Sequence, residues 1–191
     1  MGRSGKKARR EQGIAAVDLF CGAGGLTRGL IEAGITVRLG VDLDPDCRHA
    51  FEANNEGARY LLADVSRVDK KVLKEGWREK EVKVLAGCAP CQPFSTYNQA
   101  RDTRADGQWS LLKAFGRLVR ECEPDLVTME NVSALARHAV FQDFCTGLRG
   151  RGFEVVWAVL DCRDFGVPQA RKRLVLIGSR LGKPSPPNPV V

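Results

Sequence analysis

The sequence predicts an α/β fold in which a parallel sheet is covered by helices. Three observations carry it. From Ile14 onward, short β-branched or apolar runs alternate with longer amphipathic stretches, the pattern of strands and crossover helices. A glycine turn joins the first run directly to a helical stretch. The composition, 43 % hydrophobic and 28 % charged over 191 residues, matches a chain that folds around its own core and excludes collagen-like or wholly disordered classes.

Taken in order, the β-branched and apolar runs predict strands over 14–20, 37–42, 58–62, 82–86, 125–129, 153–160 and 174–178. Amphipathic spacing predicts helices over 25–33, with Gly34 as its C-terminal stop, and over 45–54, 111–122 and 140–149. Residues 88–108 hold Gly, Pro, Asn and many charges and read as a functional loop. The last ten residues carry four prolines, which forbid regular structure and suggest a linker or truncated end after a core over 13–181.

The net charge of +7 is unevenly placed. Arg3, Lys6, Lys7, Arg9 and Arg10 face a single acid, Glu11, so the first 12 residues hold more than half of it. With no large apolar side chain after Met1, this stretch is expected as a disordered tail, either a solvated leader or a grip on nucleic-acid phosphates. No apolar run reaches the ~18 residues of a spanning helix, and the N-terminus lacks a secretory apolar segment, so a cytoplasmic protein without membrane contact is expected. Seven cysteines, an odd number, point to free thiols rather than a disulfide scaffold.

Chemistry begins where Asp18-Leu19-Phe20-Cys21-Gly22-Ala23-Gly24-Gly25 runs from the first strand into a helix. Such a turn offers free N–H groups to an anionic ligand, and Asp42, ending the next strand, can take ribose hydroxyls. A nucleotide-like cofactor fits. The NAD fingerprint is incomplete, because Thr27 stands where its third glycine belongs.

After the fourth strand, Gly87-Cys88-Ala89-Pro90-Cys91-Gln92-Pro93-Phe94-Ser95 leaves redox, zinc and nucleophile readings in competition. Gln-Pro after Cys91 opens no redox helix, and zinc lacks a second paired spacing, so no metal is expected. Cys88 reads as inert packing and Cys91 as a reactive thiol. Asp125-Leu-Val-Thr-Met-Glu130-Asn131-Val132 puts a carboxylate at the ligand-binding edge of the sheet, on the strand next to the one that Cys91 follows. Before the last strand, Gln169, Arg171 and Arg173 share one face of an extended segment.

Together these blocks resemble the DNA (cytosine-5)-methyltransferase family over about residues 14–187, in the family's order. Asp18 to Gly25 is similar to its first S-adenosylmethionine motif, Val41 to Asp44 to its ribose and adenine acid region, and Ala63-Asp64-Val65 to its adenine-edge motif. Pro90-Cys91-Gln92, Glu130-Asn131-Val132 and Gln169-x-Arg171-x-Arg173 resemble the catalytic set.

The resemblance implies a Rossmann-like S-adenosylmethionine-dependent fold with an antiparallel edge made by the last two strands. It implies catalytic Cys91, Glu130, Arg171 and Arg173. Cofactor contacts would come from Phe20, Gly22, Ala23, Gly24, Gly25, Asp42, Leu43, Asp64, Val65, Pro90 and Leu111, and substrate contacts from Gln92, Ser95, Asn131 and Gln169.

The implied activity is methylation of cytosine C5 in double-stranded DNA, as in restriction–modification, through a covalent bond from Cys91 to C6. Glu130 would share a proton with N3, held there by burial, and Arg173 would face O2. Arg171 would steady the loop or a phosphate. The loop from Gln92 to Gln108 would close over a flipped base. The family's target-recognition region and closing segment have no counterpart here, so a second subunit is an expected partner. The alternatives are a tRNA cytosine-5 methyltransferase and a non-catalytic cofactor-binding fragment or subunit.

Overall fold

The computed structural model describes residues 12–90 and 109–190. The basic tail up to residue 11, and Cys91, Gln92, Ser95 and the rest of the expected closing loop through Gln108, lie outside the described residues.

Seven strands form one sheet in the order β3-β2-β1-β4-β5-β7-β6. They are β1 (Ile14–Leu19), β2 (Thr36–Asp42), β3 (Arg59–Leu62), β4 (Val82–Gly87), β5 (Leu126–Val132), β6 (Glu154–Asp161) and β7 (Lys172–Ser179). The first five run parallel, and the expected antiparallel edge is present with β7 as the reversed strand, pairing antiparallel with both β5 and β6. Strand β5 extends three residues past its expected end because β7 pairs along its whole length, from Leu126 opposite Ser179 to Val132 opposite Arg173. Strand β1 stops one residue early, since Phe20 turns to a positive φ of 58°.

The helices are α1 (Gly25–Glu32), α2 (Cys47–Asn54), α3 (Lys70–Lys74), α4 (Ser110–Cys122) and α5 (Ala139–Arg149). Helix α1 ends as expected, with Gly34 in the left-handed region at φ 81° and its N–H bonded to the Ile31 carbonyl. The short α3 carries no periodic signal of its own; the Asp69 carboxylate starts it by accepting from the Lys71 N–H at 2.8 Å.

Two apolar layers flank the sheet. On one side Leu19, Leu39, Leu85, Val127 and Met129 pack with Phe115 and Leu118 of α4 and Phe141 and Leu148 of α5. In α4 the buried Leu112, Phe115, Leu118, Val119 and Cys122 recur at helical spacing, so one face is inside; burying a phenylalanine such as Phe115 is worth about 2–3 kcal/mol. On the other side Ala16, Val37 and Val84 meet Phe51 of α2 and Tyr60 of β3.

After β7 the proline-bearing stretch is irregular, as expected. Pro186 and Pro187 lie against Val156, Leu160, Val175 and Ile177 of β6 and β7. The Val190 N–H donates to the Asp164 carbonyl at 2.8 Å. No helix among the described residues is long and apolar enough to cross a membrane.

Candidate active site

The parallel strands deliver their C-terminal ends to one rim, where an open α/β sheet binds ligands. At the end of β1 the chain turns through Gly22 at φ 49° and Gly24 at φ 91° before α1 begins. Gly24 is fixed by crowding as well as by φ, since an added Cβ would lie 2.9 Å from the Phe51 ring. At Gly22 and Gly25 an added Cβ would meet nothing within 4 Å. The backbone of the turn is therefore open on one side and packed on the other.

Beneath the turn, Asp18 is fully buried. Its Oδ2 accepts from the Thr27 hydroxyl at 2.7 Å, and its other oxygen has no partner. Burial pushes its carboxyl up to about 7, against the opposing hydroxyl and N–H of Thr27. In the sequence Asp18 stands only as one member of the glycine-turn motif. The available signal was a carboxylate inside an otherwise apolar strand.

At the ends of β2 and β3 the acids are organised by backbone. Asp42 accepts from the Gly22 N–H at 2.8 Å and from the Asp44 N–H at 3.0 Å, so it ties the glycine turn to the neighbouring strand. Leu43 projects beside it, 67 % exposed. Asp64 accepts from the Ser66 N–H and hydroxyl at 2.8 and 2.7 Å, and chiefly these bonds from Ser66 hold its carboxyl below the usual range. Val65 is buried, and Arg117 of α4 donates to its carbonyl at 3.2 Å. Leu111 stands half-buried in the first turn of α4.

The second half of the rim lies between β4, β5 and β7. Gly87 ends β4, Ala89 is buried, and Pro90 is exposed. Asn131, expected to contact substrate, is buried, and its side-chain amide bonds the backbone. Its Nδ2 donates to the Ala89 carbonyl at 2.8 Å while its Oδ1 accepts from the Val132 N–H. One residue thus ties the end of β5 to the segment leading to Cys91.

Glu130 receives Arg173 Nε at 2.8 Å on Oε1, with Arg171 at 3.9 Å from the same oxygen. The single extended segment expected for Gln169, Arg171 and Arg173 is replaced by tight turns before β7. The Gln169 N–H bonds to the Val167 carbonyl, and the Arg171 N–H to the Gln169 carbonyl. Gln169 is exposed and outside the Glu130 cluster, so only the two arginines converge. Cys88, expected as inert packing, is a half-buried free thiol just past the end of β4. Burial, then the charges of Glu130 and Asp18, push its thiol up. No cluster of three His, Cys, Asp or Glu side chains suited to a metal occurs among the described residues.

The rim can therefore hold a nucleotide-like group on one half and present a carboxylate–guanidinium pair on the other. A family model described as C-5 cytosine-specific DNA methylase matches residues 14–190. Type II methylase M.HgiDII of Herpetosiphon aurantiacus is 44 % identical over 171 residues, covering 88 % of this chain and 48 % of that protein. Type II methyltransferase M.AquIA of a Picosynechococcus strain is 32 % identical over 180 residues, covering 87 % of this chain and 72 % of that one. The chain thus spans about half the length of the first relative and a larger share of the second. The crystal structure of the S. pombe Dnmt2 methyltransferase superposes with a TM-score of 0.72 at 17 % identity, over 90 % of this chain and 50 % of that one, and shares the fold.

Proposed function

Because the chain belongs to the C-5 cytosine-specific DNA methylase family, we propose that it carries out methyl transfer from S-adenosylmethionine to C5 of cytosine in double-stranded DNA. The observation that carries this reading is the Glu130–Arg173 pair, set on the strand beside the one that leads into Pro90-Cys91-Gln92.

The residues on the other half of the rim fit the cofactor. Gly22 and Gly25 leave open the space that a bound ligand would fill. Asp42 keeps a free lone pair on each oxygen for ribose hydroxyls, Leu43 offers an exposed apolar side to adenine, and Asp64 and Val65 stand at its edge. Phe20, Ala23, Gly24, Pro90 and Leu111 complete the lining. S-adenosylmethionine supplies an electrophilic methyl group when bound.

Cytosine C5 is too weak a nucleophile to take that methyl unaided. Cys91, as thiolate, adds at C6 and makes C5 electron-rich, with negative charge spreading toward N3 and O2; once C5 carries the methyl group, loss of the C5 proton to a base breaks the S–C6 bond, expels the thiolate and restores the ring. Glu130 shares a proton with N3, Arg173 faces O2, and Arg171 steadies the surrounding loop or a phosphate. Asn131 holds the Ala89 carbonyl and so fixes where the Cys91 segment departs. Gln92, Ser95 and Gln169 stand on the substrate side. The base reaches this pocket by leaving its stack.

Contacts that choose a DNA sequence belong to the portion that the relatives carry outside the aligned region, in the same chain or in a partner subunit. The decisive experiment is transfer of labelled methyl groups to mixed DNA and tRNA, by the chain alone and with a polypeptide supplying that portion. DNA labelling that disappears in Cys91→Ser, with the fold and cofactor affinity retained, is expected. Labelling of tRNA alone, or full turnover by Cys91→Ser, would overturn the reading.

A further inference from the structure

The outer face of the helix layer carries a groove that the proposed reaction does not use. Strands β5 and β6 both run antiparallel to β7, so α4 and α5, which lead into them, lie side by side in the same direction. Between them is a groove of about 270 Å³. Each helix opens its floor with a glycine. A Cβ added at Gly116 would lie 3.6 Å from the Phe144 ring, and at Gly147 it would meet only the far end of Arg151, at 3.9 Å. Leu112, Val140 and Phe144 make the rest of the floor apolar.

The walls are basic. Lys113, Arg117, Arg120 and Arg151 line the groove against one acid, Asp143. Arg117 is drawn aside, pairing with Glu121 at 2.8 Å and donating to the Val65 carbonyl. Arg151 stands at one end, where its Nη1 donates to the Gly147 carbonyl at 2.8 Å. Arg120 is exposed and makes no ion pair among the described residues. Lys113 lies near the N-terminus of α4, where a cation opposes the helix dipole, so its charge does not serve the helix.

We propose that this groove docks an acidic amphipathic helix of a partner protein. It offers side chains and no unpaired strand edge, which suits a helix laid in a groove rather than an added strand. From Leu112 to Arg120 it runs ~12 Å at helix rise, about two turns of a partner whose leucine or phenylalanine side chains at i and i+3 or i+4 enter over the two glycines. Carboxylates flanking those anchors face Lys113 and Arg120, and Asp143 takes a single cation. Charge rules out the other occupants. A second copy, itself at +7, would set this basic surface against another basic chain, and the stretch over residues 1–11 is basic as well. Nucleic acid would engage the cations and leave the apolar floor unfilled. None of the lining residues has been given a part in binding cofactor or base, so docking and methyl transfer are tested separately.

The 191-residue chain is titrated, by fluorescence anisotropy, into a labelled helical peptide of about four turns with leucines at i, i+4 and i+7 and glutamates beside them. Saturable binding is expected, weakened at least about tenfold when the glutamates are replaced by lysines or the leucines by serines. Gly147→Leu fills the groove and replaces a helical glycine, so it should keep or raise the melting temperature while weakening binding at least about tenfold. Arg120→Glu should weaken it similarly, whereas Arg149→Glu, on α5 but outside the groove, should weaken it much less. If Gly147→Leu melts lower than the parent, Arg120→Glu, at an exposed position, decides alone. No binding by the parent chain, parent-like binding by Arg120→Glu or by a stably folded Gly147→Leu, or undiminished binding of the serine peptide would overturn the proposal. Displacement of the peptide by a DNA duplex would overturn it too, by giving the groove to nucleic acid.

Discussion

Glu130 and Arg173 are diagonal neighbours across the antiparallel pair. Glu130 is registered opposite Val175 and Arg173 opposite Val132, yet the guanidinium reaches Oε1 at 2.8 Å. The reversed strand makes this possible, because its first residues arrive at the same rim where β5 ends. Glu130→Gln should therefore cost methyl transfer at least about 100-fold, the usual loss when a transition-state partner is removed. Stability should change by about 1 kcal/mol or less, since both side chains are partly exposed. Arg171→Ala, whose contact is 3.9 Å, should cost less than Arg173→Ala. Turnover with labelled cofactor, alongside thermal melting, checks all three.

Asp42 ties the glycine turn to the end of β2 and is the acid proposed for ribose, so its loss acts twice. Asp42→Ala should weaken S-adenosylmethionine binding by roughly 1–3 kcal/mol, through the lost ribose bonds and the released Gly22 N–H. Asp42→Asn should retain more, because its carbonyl can still accept. Calorimetry with S-adenosylmethionine and with NAD decides the matter, and NAD should not bind.

Gly24 has no room for a side chain and no favourable φ for one. Gly24→Ala should destabilise the fold by about 1–3 kcal/mol and displace Phe51 or Asn55. Gly22→Ala meets open space but still takes a left-handed φ of 49°, so it should cost about 1 kcal/mol, less than Gly24→Ala, while blocking cofactor. Melting curves and cofactor titration of the two variants separate a packing glycine from a ligand-facing one.

Asp18 makes stability depend on pH in an unusual direction. Its carboxyl is raised from 3.8 to about 7, so between these values the folded state holds a proton that the unfolded state has released. Stability from this group is fully present below pH 3.8, falls as pH rises toward 7, and is flat above; the drop is at most ~4 kcal/mol. Asp18→Asn, which can still accept from Thr27, should remove that decline. Denaturant melts from pH 4 to 8 test it, and parallel slopes in the two proteins would refute it.

The strand and helix sequence was legible because each element carries its own periodicity. Ile14 to Leu19 is a continuous apolar run broken by one acid, and α4 repeats its apolar residues at helical spacing. The five-residue α3 was not, because its start depends on one Asp69 cap rather than on a pattern. At the site, Glu130, Arg171 and Arg173 were legible as a set, and the structure brings them together. What side chains do for the backbone was harder to read. The Asn131 bond to Ala89 spans 42 positions and leaves no local trace in the chain.

The reversed strand also dictates a round trip. Strand β7 leaves the rim at Lys172 and reaches the far end of the sheet at Ser179, roughly 25 Å away at strand rise. The eleven residues that follow can span about 34 Å at polyproline rise, enough for the return leg. Pro186 and Pro187 keep that leg flat against β6 and β7, and the Val190 bond to Asp164 docks it level with the turn after β6. A reporter or tether attached at Val190 would therefore face the substrate side of the protein, not its back.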